Sequence, residues 1–334
     1  MASMQPAPKP NSRLEYPRIL SPNAGLRVSP LCLGTMNSGE ACRDTAFKIL
    51  DYYYDNGGNF IDTANFYQEG ESEQWIGEWM TSRKNRDQIG NYKKSMYVSL
   101  ENSFKNMQTN YMDIFYVHWG DFTTSIEEVM QALHHLVVSG KVLYLGISDT
   151  PAWVVSSANR YARDHTLTPF SVYQGKWNVA DRDVERETIS MCRHEGMAFA
   201  AWAVLGQGKF KAESHDDPAE GGQRVAATLN KFAQRKDTLP TIIAFVYVLS
   251  KIPYVFPVIG GRKLEDIQGN VKALDVVLTD EELDGIDNEE DFDIGFPFNL
   301  IYEFHGTQNL LVMPATEDHT YPDWFSQRRN YGVQ

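Results

Sequence analysis

Short apolar segments alternate with amphipathic segments along most of this 334-residue chain. The apolar segments have the length of buried strands, and the amphipathic ones repeat their apolar residues at helical spacing. This alternation predicts parallel βαβ units, in which each helix carries the chain back to the start of the next strand. Seven strands are predicted: the segment from Pro30 to Met36, the strand ending at Phe60 and Ile61, Met112–His118, Val142–Ser148, Ser171–Gln174, Met197–Trp202 and Tyr254–Ile259.

The expected third strand has no apolar segment. Between the predicted helices Glu71–Ser82 and Ser95–Met107, the chain contains polar Arg83–Gln88, a single apolar Ile89 and then Gly90–Lys94. A length of 334 residues suits one barrel of about 250 residues with additions. We therefore predict a (β/α)8 TIM-type α/β barrel whose third strand is missing or distorted, leaving an edge that could favour weak self-association.

Both ends of the chain differ from the repeating part. Leu14–Val28 reads as a hairpin around the turn Pro22–Gly25, and we expect it to close the bottom of the barrel. Residues 1–13 are predicted to be a disordered, Pro-containing arm. Residues 14–334 are predicted to be one barrel domain, including an aromatic and Pro-containing tail, 293–334, that could cover a mouth of the barrel.

Composition excludes several classes of function. The net charge of −13 argues against nucleic acid as a partner, because phosphate binding needs a basic surface. No apolar segment reaches the roughly 18 to 20 residues of a membrane span, and no secretory signal is evident, so a cytoplasmic protein without membrane partners is expected. Cys32, Cys42 and Cys192 are odd in number and widely spaced, which predicts reduced, packed thiols and neither a disulfide framework nor a metal site.

Asp62 and Tyr67 form the first candidate site. Asp62 ends a predicted strand and Tyr67 follows in the next loop, the position at which α/β barrels carry their catalytic groups. Tyrosine can donate a proton to a developing alkoxide if neighbouring cations or hydrogen bonds lower its pKa from about 10. Alternatively, Asp62 caps the next helix and Tyr67 only lines a loop. His118, which also ends a strand, could likewise be a satisfied structural histidine.

Together these residues and their motifs resemble the aldo-keto reductase superfamily over nearly the whole chain. The similar segments are LCLGTM at Leu31, DTANFYQEGESE at Asp62, DIFYVHW at Asp113, GISDTPAWVV at Gly146, VYQGKWN at Val172 and PVIGGRKLEDIQGN at Pro257. GISDTPAWVVSSAN and YQGKWN are similar to a fungal branch that contains aryl-alcohol dehydrogenases and norsolorinic acid reductases.

The resemblance implies an NADPH-binding (β/α)8 barrel that transfers a hydride to an aldehyde or ketone through an Asp, Tyr, Lys and His tetrad. Tyr67 matches the proton donor, His118 the group that orients the carbonyl, and Asp62 the anchor of the lysine. The family's lysine ends the third strand, where this chain has no matching segment. Lys93 and Lys94 are the candidates to replace it, and both could instead be solvated residues at a helix start.

The resemblance also implies a set of cofactor contacts. The residues that match the nicotinamide side are Ser148, Asp149, Gln174 and Trp202, with Gly34 and Thr35 at a strand end where the backbone is open to a ligand. Leu205, Gly206 and Lys209 match a loop that folds over the cofactor. Asn270 matches an adenine contact. Arg262 and Lys263 follow Gly-Gly at a helix start and could hold a 2′-phosphate, or could be a solvated surface pair.

The candidate residues and the family resemblance together leave two possible functions. The first is NADPH-dependent reduction of an aryl aldehyde or an aromatic or polyketide-type ketone in secondary metabolism. Phe66, Trp119, Trp177 and the aromatic tail could form a flat apolar pocket for it, although they could equally belong to the core. The alternative is a catalytically impaired, cofactor-binding relic that lacks the tetrad lysine.

Overall fold

The computed structural model describes residues 12–36, 42–86, 90–94, 97–120, 123–208, 210, 220–289 and 292–296. For residues 90–94, 97–99 and 220–223 it describes the backbone only. Lys209, the N-terminal arm up to residue 11 and the tail from residue 297 onwards lie outside the described residues. The predictions made for them, including the aromatic cover, stay predictions.

The described part of the chain contains ten strands and ten α-helices. The strands are β1 (Arg18–Ser21), β2 (Ala24–Val28), β3 (Cys32–Gly34), β4 (Phe60–Thr63), β5 (Gly90–Lys94), β6 (Met112–Val117), β7 (Val142–Ser148), β8 (Phe170–Lys176), β9 (Ala198–Trp202) and β10 (Val255–Ile259). The helices are α1 (Arg43–Asp55), α2 (Glu71–Arg83), α3 (Tyr97–Asn106), α4 (Ile126–Val138), α5 (Ala152–Asp164), α6 (Thr188–Glu195), α7 (Glu220–Arg235), α8 (Pro240–Lys251), α9 (Leu264–Val271) and α10 (Asp280–Glu289).

Eight of the described strands, β3 to β10, close into a parallel barrel in chain order. The predicted barrel is therefore confirmed, but the prediction that its third strand is missing is wrong. β5 occupies that place, with Asp62 of β4 beside Tyr92 and Lys94 beside Tyr116 of β6. The expected self-association depended on exposed edges of β4 and β6. β5 pairs with both of these strands, so the edges are not exposed there.

The third strand escaped detection because its sequence, GNYKK, has one aromatic residue and no aliphatic one. A strand between two others is held by backbone hydrogen bonds on both sides, and these bonds do not depend on side-chain hydrophobicity. An unfilled gap would leave the N–H and C=O groups of β4 and β6 unpaired at a cost of roughly 1–3 kcal/mol for each buried group. Closure of the barrel therefore recruits a short polar segment.

The barrel separates two apolar layers. The interior contains alternate strand residues, among them Phe60, Ile114, Val172 and Phe256, and the outer layer packs the other strand faces against the helices. Leu20, Ala24 and Val28 of the β1–β2 hairpin join the interior cluster, and the Arg18 guanidinium donates to the Val255 carbonyl at 3.1 Å. The predicted hairpin thus closes the amino-terminal end of the barrel, which leaves the carboxyl end for a site.

Candidate active site

Asp62 and His118 lie at the carboxyl ends of β4 and β6, the two strands on either side of β5 in the wall. Asp62 is buried on β4, and its side chain accepts a hydrogen bond from the Gln174 amide on β8 at 3.2 Å. Thr35 fixes the Asp62 backbone, because both its N–H and its hydroxyl donate to the Asp62 carbonyl at 3.0 Å. His118 follows β6 directly, and its ring meets the Trp119 ring edge to face with centroids 4.1 Å apart.

A tight loop carries Tyr67 from the end of β4 to the start of α2. The Tyr67 N–H donates to the Ala64 carbonyl at 3.1 Å, and the next residues, Gln68 and Glu69, have φ values of 45° and 54°. Non-glycine residues in this left-handed region are uncommon and are characteristic of functional loops. The Gln68 side chain holds the turn by donating to the Met36 carbonyl and accepting from the Ser72 hydroxyl. The loop therefore fixes the backbone at Tyr67.

The surroundings of Tyr67 keep its hydroxyl protonated. Burial raises the pKa of the phenol well above its ordinary value, and the negative charge of Asp62 raises it further, with smaller contributions from Cys32 and Asp149. A phenol in such a site is a poor source of protons unless a cation lies close to it. Because burial and the charges of Asp62 and Asp149 disfavour loss of the Tyr67 proton, proton donation from Tyr67 requires a positive charge close to its hydroxyl.

Tyr67 and His118 open into one pocket of about 550 Å³. Its mouth is formed by residues after β4 and β6, including Phe66 and Trp119, whose side chains are 88% and 63% exposed. The remaining lining comes from the loop before α4, from α4 and α5, and from the strands below them: Val117, Thr124, Ile126, Val129, Met130, Ile147, Val154, Ala158 and Phe170. None of the described lining residues is Asp, Glu, Lys or Arg, so the pocket suits an apolar ligand with a polar group at Tyr67 and His118.

Trp177 does not line this pocket. Its side chain is fully buried, packs edge to face on Phe199 with ring centroids 5.5 Å apart, and donates to Glu185 at 3.0 Å. The suggestion that Trp177 forms a substrate wall is therefore wrong, and the alternative that it belongs to the core holds. Of the three cysteines, Cys32 and Cys192 are buried, whereas Cys42 is exposed at the start of α1, contrary to the expectation that all are packed.

The predicted nicotinamide residues form a connected group at the carboxyl ends of β7, β8 and β9. The Asp149 carboxylate accepts from the Trp202 indole and from the Ser148 hydroxyl, each at 3.1 Å. The Asp149 N–H donates to the Gln174 carbonyl at 3.0 Å, and Asp149 has a φ of 45°. Since Gln174 also bonds Asp62, these residues are linked to the candidate catalytic aspartate. Their mixture of donors and acceptors fits a carboxamide.

The predicted phosphate site begins α9. Arg262 and Lys263 are exposed, and their backbone N–H groups both donate to the Asp266 carboxylate at 3.2 Å. A side chain at Gly261 would place its Cβ 2.4 Å from the Asp266 Cβ, so glycine permits this turn. Because Asp266 occupies these two amides, any phosphate recognition here depends on the basic side chains. Asn270 is buried and donates to the Gly260 carbonyl at 3.3 Å.

The remaining predicted contacts are less informative. A Cβ at Gly34 would lie 2.8 Å from the Val258 side chain, so packing inside the barrel already requires a small residue there. Leu205 is partly buried, and Gly206 begins a short 3₁₀ turn, Gly206–Gly208, against Phe210. These two residues follow β9 and its Trp202, on the same side as the nicotinamide group. Their cofactor role stays a prediction.

A family match decides the classification of the chain. The sequence model of the Aldo/keto reductase family matches residues 30–290. The chain belongs to the aldo/keto reductase family. It is therefore an oxidoreductase, and the members of its family act with nicotinamide cofactors. Among the described residues, none of the helices combines the length and the hydrophobicity that a membrane-spanning helix requires.

Several fungal enzymes are similar to this chain over most of their length. Norsolorinic acid reductase A of Aspergillus parasiticus is 49% identical, over 89% of this chain and 87% of the relative. Norsolorinic acid reductase B of Dothistroma septosporum is 51% identical, over 87% and 85%. Aryl-alcohol dehydrogenase [NADP(+)] of Phanerodontia chrysosporium is 43% identical, over 97% of each chain. That last match extends over 378 residues, more than the 334 of this chain, so the relative contains positions that this chain lacks.

For an aldo/keto reductase, the positions of the tetrad candidates form a coherent group. Tyr67 and His118 share the pocket, Asp62 acts electrostatically on Tyr67, and β5 passes beside Asp62. Sequence patterns missed Asp266 and the pocket residues on α4 and α5. Asp266 lies three residues after Lys263, which is the spacing of a helix capping box, and this spacing could have identified Asp266 from the sequence. The pocket residues gave none, because apolar residues at helical spacing look the same whether they face a core or a ligand.

Proposed function

We propose that the protein is an NADPH-dependent carbonyl reductase that acts on aryl aldehydes or on aromatic or polyketide-type ketones. One observation carries the proposal. Tyr67 and His118 line a single apolar pocket, Asp62 acts electrostatically on Tyr67, and the 3.2 Å hydrogen bond from the Gln174 amide links Asp62 to the polar group suited to a nicotinamide. A carbonyl in the pocket would therefore lie between a proton donor and the cofactor side.

In this proposal Tyr67 donates the proton and His118 orients the carbonyl oxygen. When bound, the nicotinamide supplies the hydride and becomes oxidised. The carbonyl carbon gains that hydride, its oxygen gains the Tyr67 proton, and the product is an alcohol. His118 can donate a hydrogen bond to the oxygen as negative charge develops there, which stabilises the transition state. Asp62 is a positioning residue whose charge also favours a cation beside Tyr67.

Lys94 is the residue we assign as that cation. In β5, Lys94 pairs with Tyr116. It is two residues after Tyr92 and therefore on the same face of the strand, and Tyr92 pairs with Asp62 and Ile114. Ile114 and Tyr116 belong to the interior cluster. Lys93 pairs instead with Thr63 and Phe115, and Phe115 belongs to the outer layer. Because strand residues alternate between the two faces, register parity favours Lys94 over Lys93.

The cofactor assignment follows the same residues. Ser148, Asp149 and Gln174 would hold the carboxamide, and Trp202, fixed by its bond to Asp149, would provide a flat apolar surface beside the ring. The exposed Arg262 and Lys263 favour the phosphorylated dinucleotide, since guanidinium and ammonium groups bind phosphate strongly. The name of the Phanerodontia chrysosporium relative, which specifies NADP(+), agrees with this choice.

Aromatic substrates are favoured by the mouth of the pocket and by the relatives. Phe66 and Trp119 present exposed rings on which another flat ring can stack. The names of the similar fungal enzymes specify an aryl alcohol or norsolorinic acid as their substrates. For this chain we infer the shared chemistry, a carbonyl attached to or near an aromatic system.

Tyr67→Phe provides the test. Turnover of benzaldehydes, aryl ketones and aliphatic ketones is measured with NADPH and with NADH, alongside cofactor binding. We expect wild-type turnover of aryl carbonyls with NADPH, and a roughly 10²- to 10⁴-fold lower kcat in Tyr67→Phe with unchanged cofactor affinity. Tyr161→Phe serves as the control, because it removes a hydroxyl of the half-buried Tyr161 on α5 that accepts from the Gln131 side chain and does not line the pocket. Equal turnover in Tyr67→Phe and the wild type would refute the assigned role.

A second candidate, a cofactor-binding relic, is favoured by the additional positions of the Phanerodontia chrysosporium relative and by the absence of aliphatic residues from β5. A relic would bind NADPH with micromolar or tighter affinity but show no turnover above Tyr67→Phe for any carbonyl. The same experiment therefore separates the two candidates.

A further inference from the structure

The Asp149 carboxylate carries a negative charge that is hydrogen-bonded only by neutral groups. Its side-chain donors are the Trp202 indole and the Ser148 hydroxyl. Within the part of the chain that the structure describes, no lysine, arginine or histidine forms an ion pair with Asp149. Asp149 is exposed and directly follows β7, so this charge lies open at the carboxyl end of the barrel.

Asp62, the other carboxylate linked to the nicotinamide group, lies in different surroundings. It is buried, accepts from the Gln174 amide and lies on β4 beside β5, the strand of the proposed cation Lys94. β7, which leads into Asp149, pairs with β6 and β8 instead. Burial contributes most to the raised pKa of Tyr67, and Asp62 and then Asp149 add smaller contributions. The Asp149 charge therefore acts on the reacting end of the site, and a bound ligand can balance it.

The backbone around Asp149 holds this charge in a fixed place. Asp149 has a φ of 45°, and its N–H donates to the Gln174 carbonyl at 3.0 Å. The Thr150 hydroxyl donates to the Ser148 carbonyl at 2.9 Å. The buried Tyr173 hydroxyl accepts from the Thr150 N–H at 3.1 Å and donates to the Thr150 carbonyl at 2.9 Å. A strained turn persists where its surroundings fix it, and a charge fixed in this way needs no reorganisation when a ligand binds.

The two states of a nicotinamide cofactor differ by one charge at the ring. The oxidised ring is a pyridinium cation, whereas the reduced dihydropyridine ring is neutral. A fixed carboxylate beside the carboxamide attracts the cation and has little effect on the neutral ring. Unit charges roughly 6 Å apart, at an effective dielectric constant of about 40 for a half-solvated site, change a binding equilibrium by about tenfold. The indole of Trp202 adds to this preference, because an aromatic face attracts a cation stacked on it.

We infer that Asp149 determines which oxidation state of the cofactor the site prefers, and that it favours NADP⁺ over NADPH. The inference rests on the proposed function for the position of the nicotinamide at Ser148, Gln174 and Trp202. With Asp149 present, the protein binds NADP⁺ at lower concentrations, which supports oxidation of an aryl alcohol, the reverse of the proposed reduction. During carbonyl reduction, the same preference slows the release of NADP⁺ and makes it an effective product inhibitor.

Asp149→Asn tests the inference because it removes the charge and little else. Asparagine has the same size, keeps an acceptor for the Trp202 indole and tolerates a φ of 45°. Isothermal titration calorimetry measures the Kd of NADP⁺, of NADPH and of 2′-phospho-ADP-ribose, a fragment without nicotinamide. The ratio of the Kd for NADPH to the Kd for NADP⁺ should fall by about tenfold in Asp149→Asn, with the affinity for the fragment unchanged. The inhibition constant of NADP⁺ in carbonyl reduction should rise accordingly.

Two further variants control for effects other than charge. Ser148→Ala removes a hydrogen bond within the same group without changing its charge, so NADP⁺ and NADPH should lose affinity equally. Asp55→Asn removes an exposed carboxylate at the end of α1, which returns the chain to the amino-terminal end of the barrel, and it should bind both states like the wild type. Thermal unfolding checks that all variants are folded.

Three results would overturn the inference. The first is an unchanged ratio in Asp149→Asn, and the second is an equal loss of affinity for NADP⁺ and NADPH, which would show that Asp149 only positions Trp202. The third is a ratio that falls as far in Ser148→Ala, because geometry rather than charge would then decide it. The expected shift without turnover of any carbonyl would support the inference and refute the proposed reduction. Failure of the wild type to bind either state would refute both.

Discussion

Two sectors of the same barrel differ in how well their buried polar groups are satisfied. In the β8–β9 sector, the Asn159 side chain accepts from the Phe170 N–H at 2.8 Å and donates to the Phe170 carbonyl at 3.4 Å. Asn178 accepts from two backbone N–H groups and donates to Asp181 and to the Ala203 carbonyl. In the sector around β5, by contrast, the buried Asn85 amide and the Thr63 hydroxyl have no hydrogen-bond partner within the part of the chain that the structure describes.

The contrast teaches that closing a barrel and stabilising it are separate requirements. β8, FSVYQGK, combines backbone pairing with apolar packing, whereas β5, GNYKK, brings backbone pairing and two lysines. Polar residues in a barrel wall weaken its packing, and they are retained where chemistry needs them. We therefore expect the third-strand sector to carry proton transfer, and the β8–β9 sector to contribute more of the stability in addition to its proposed cofactor contacts.

The largest effect is expected at Lys94. Lys94→Met should lower kcat by roughly 10²- to 10⁴-fold, because the burial and carboxylates that raise the pKa of Tyr67 would then act without an opposing cation. NADPH affinity should be unchanged. Lys93→Met, the matched control one residue earlier, should keep most of the turnover. Steady-state kinetics and cofactor titration measure both effects.

Two outcomes would contradict this assignment. Turnover that survives Lys94→Met would show that the chemistry needs no lysine at this position. A loss in Lys93→Met as large as that in Lys94→Met would show that register parity does not determine the role.

A smaller effect, on stability, is expected from the ion-pair network that holds α10 to the β8–β9 sector. The Asp287 carboxylate lies 2.9 Å from the Lys251 ammonium and 3.2 Å from the Arg182 guanidinium, and it accepts from the Tyr247 hydroxyl at 2.6 Å. Asp287→Asn would remove a charged partner from both buried cations, Lys251 and Arg182. The free energy of unfolding in urea should fall by about 3 kcal/mol. Glu289→Gln, on the exposed end of the same helix, should cause no measurable change.

The pH dependence of this stabilisation has a definite sign. Burial alone would raise the pKa of Asp287, but Lys251 and Arg182 outweigh burial and lower it. The unfolded carboxyl, with a pKa of about 3.9, therefore takes up its proton first as the pH falls. The stability difference between wild type and Asp287→Asn should be greatest near pH 6–7 and shrink as the pH falls below about 4. A difference that grew on acidification would contradict the network's role.

The smallest effect is expected at Asn85. Because neither polar atom of this buried side chain is satisfied among the described residues, Asn85→Leu should raise the free energy of unfolding by about 1 kcal/mol. Asn159→Leu, the corresponding change in the other sector, should lower it by about 1–3 kcal/mol because it leaves the Phe170 N–H unpaired. Equilibrium urea unfolding compares the pair. Destabilisation of equal size in both variants would abolish the proposed contrast between sectors.

The candidate site was predictable where a residue ends an apolar strand. Asp62, His118 and Ser148 could be located because short apolar segments run directly into them, and parallel strands bring their carboxyl ends together. Lys94 could not be distinguished from Lys93, since the segment has no periodicity of its own and only pairing with β4 and β6 gives it a face. Trp177 was ambiguous for a similar reason, because an aromatic residue after a strand can turn towards the core or the ligand.

The sequence alone determined the alternating architecture, the hairpin at the amino-terminal end and the catalytic candidates Asp62, Tyr67 and His118. Local patterns suffice there because hydrophobic period and turn chemistry are properties of neighbouring residues. Only the tertiary structure decided that GNYKK completes the barrel, that Asp266 occupies the amides beside Arg262, and that residues of α4 and α5 line the pocket. These features arise from pairing and packing between segments far apart in the chain, and no single segment encodes them.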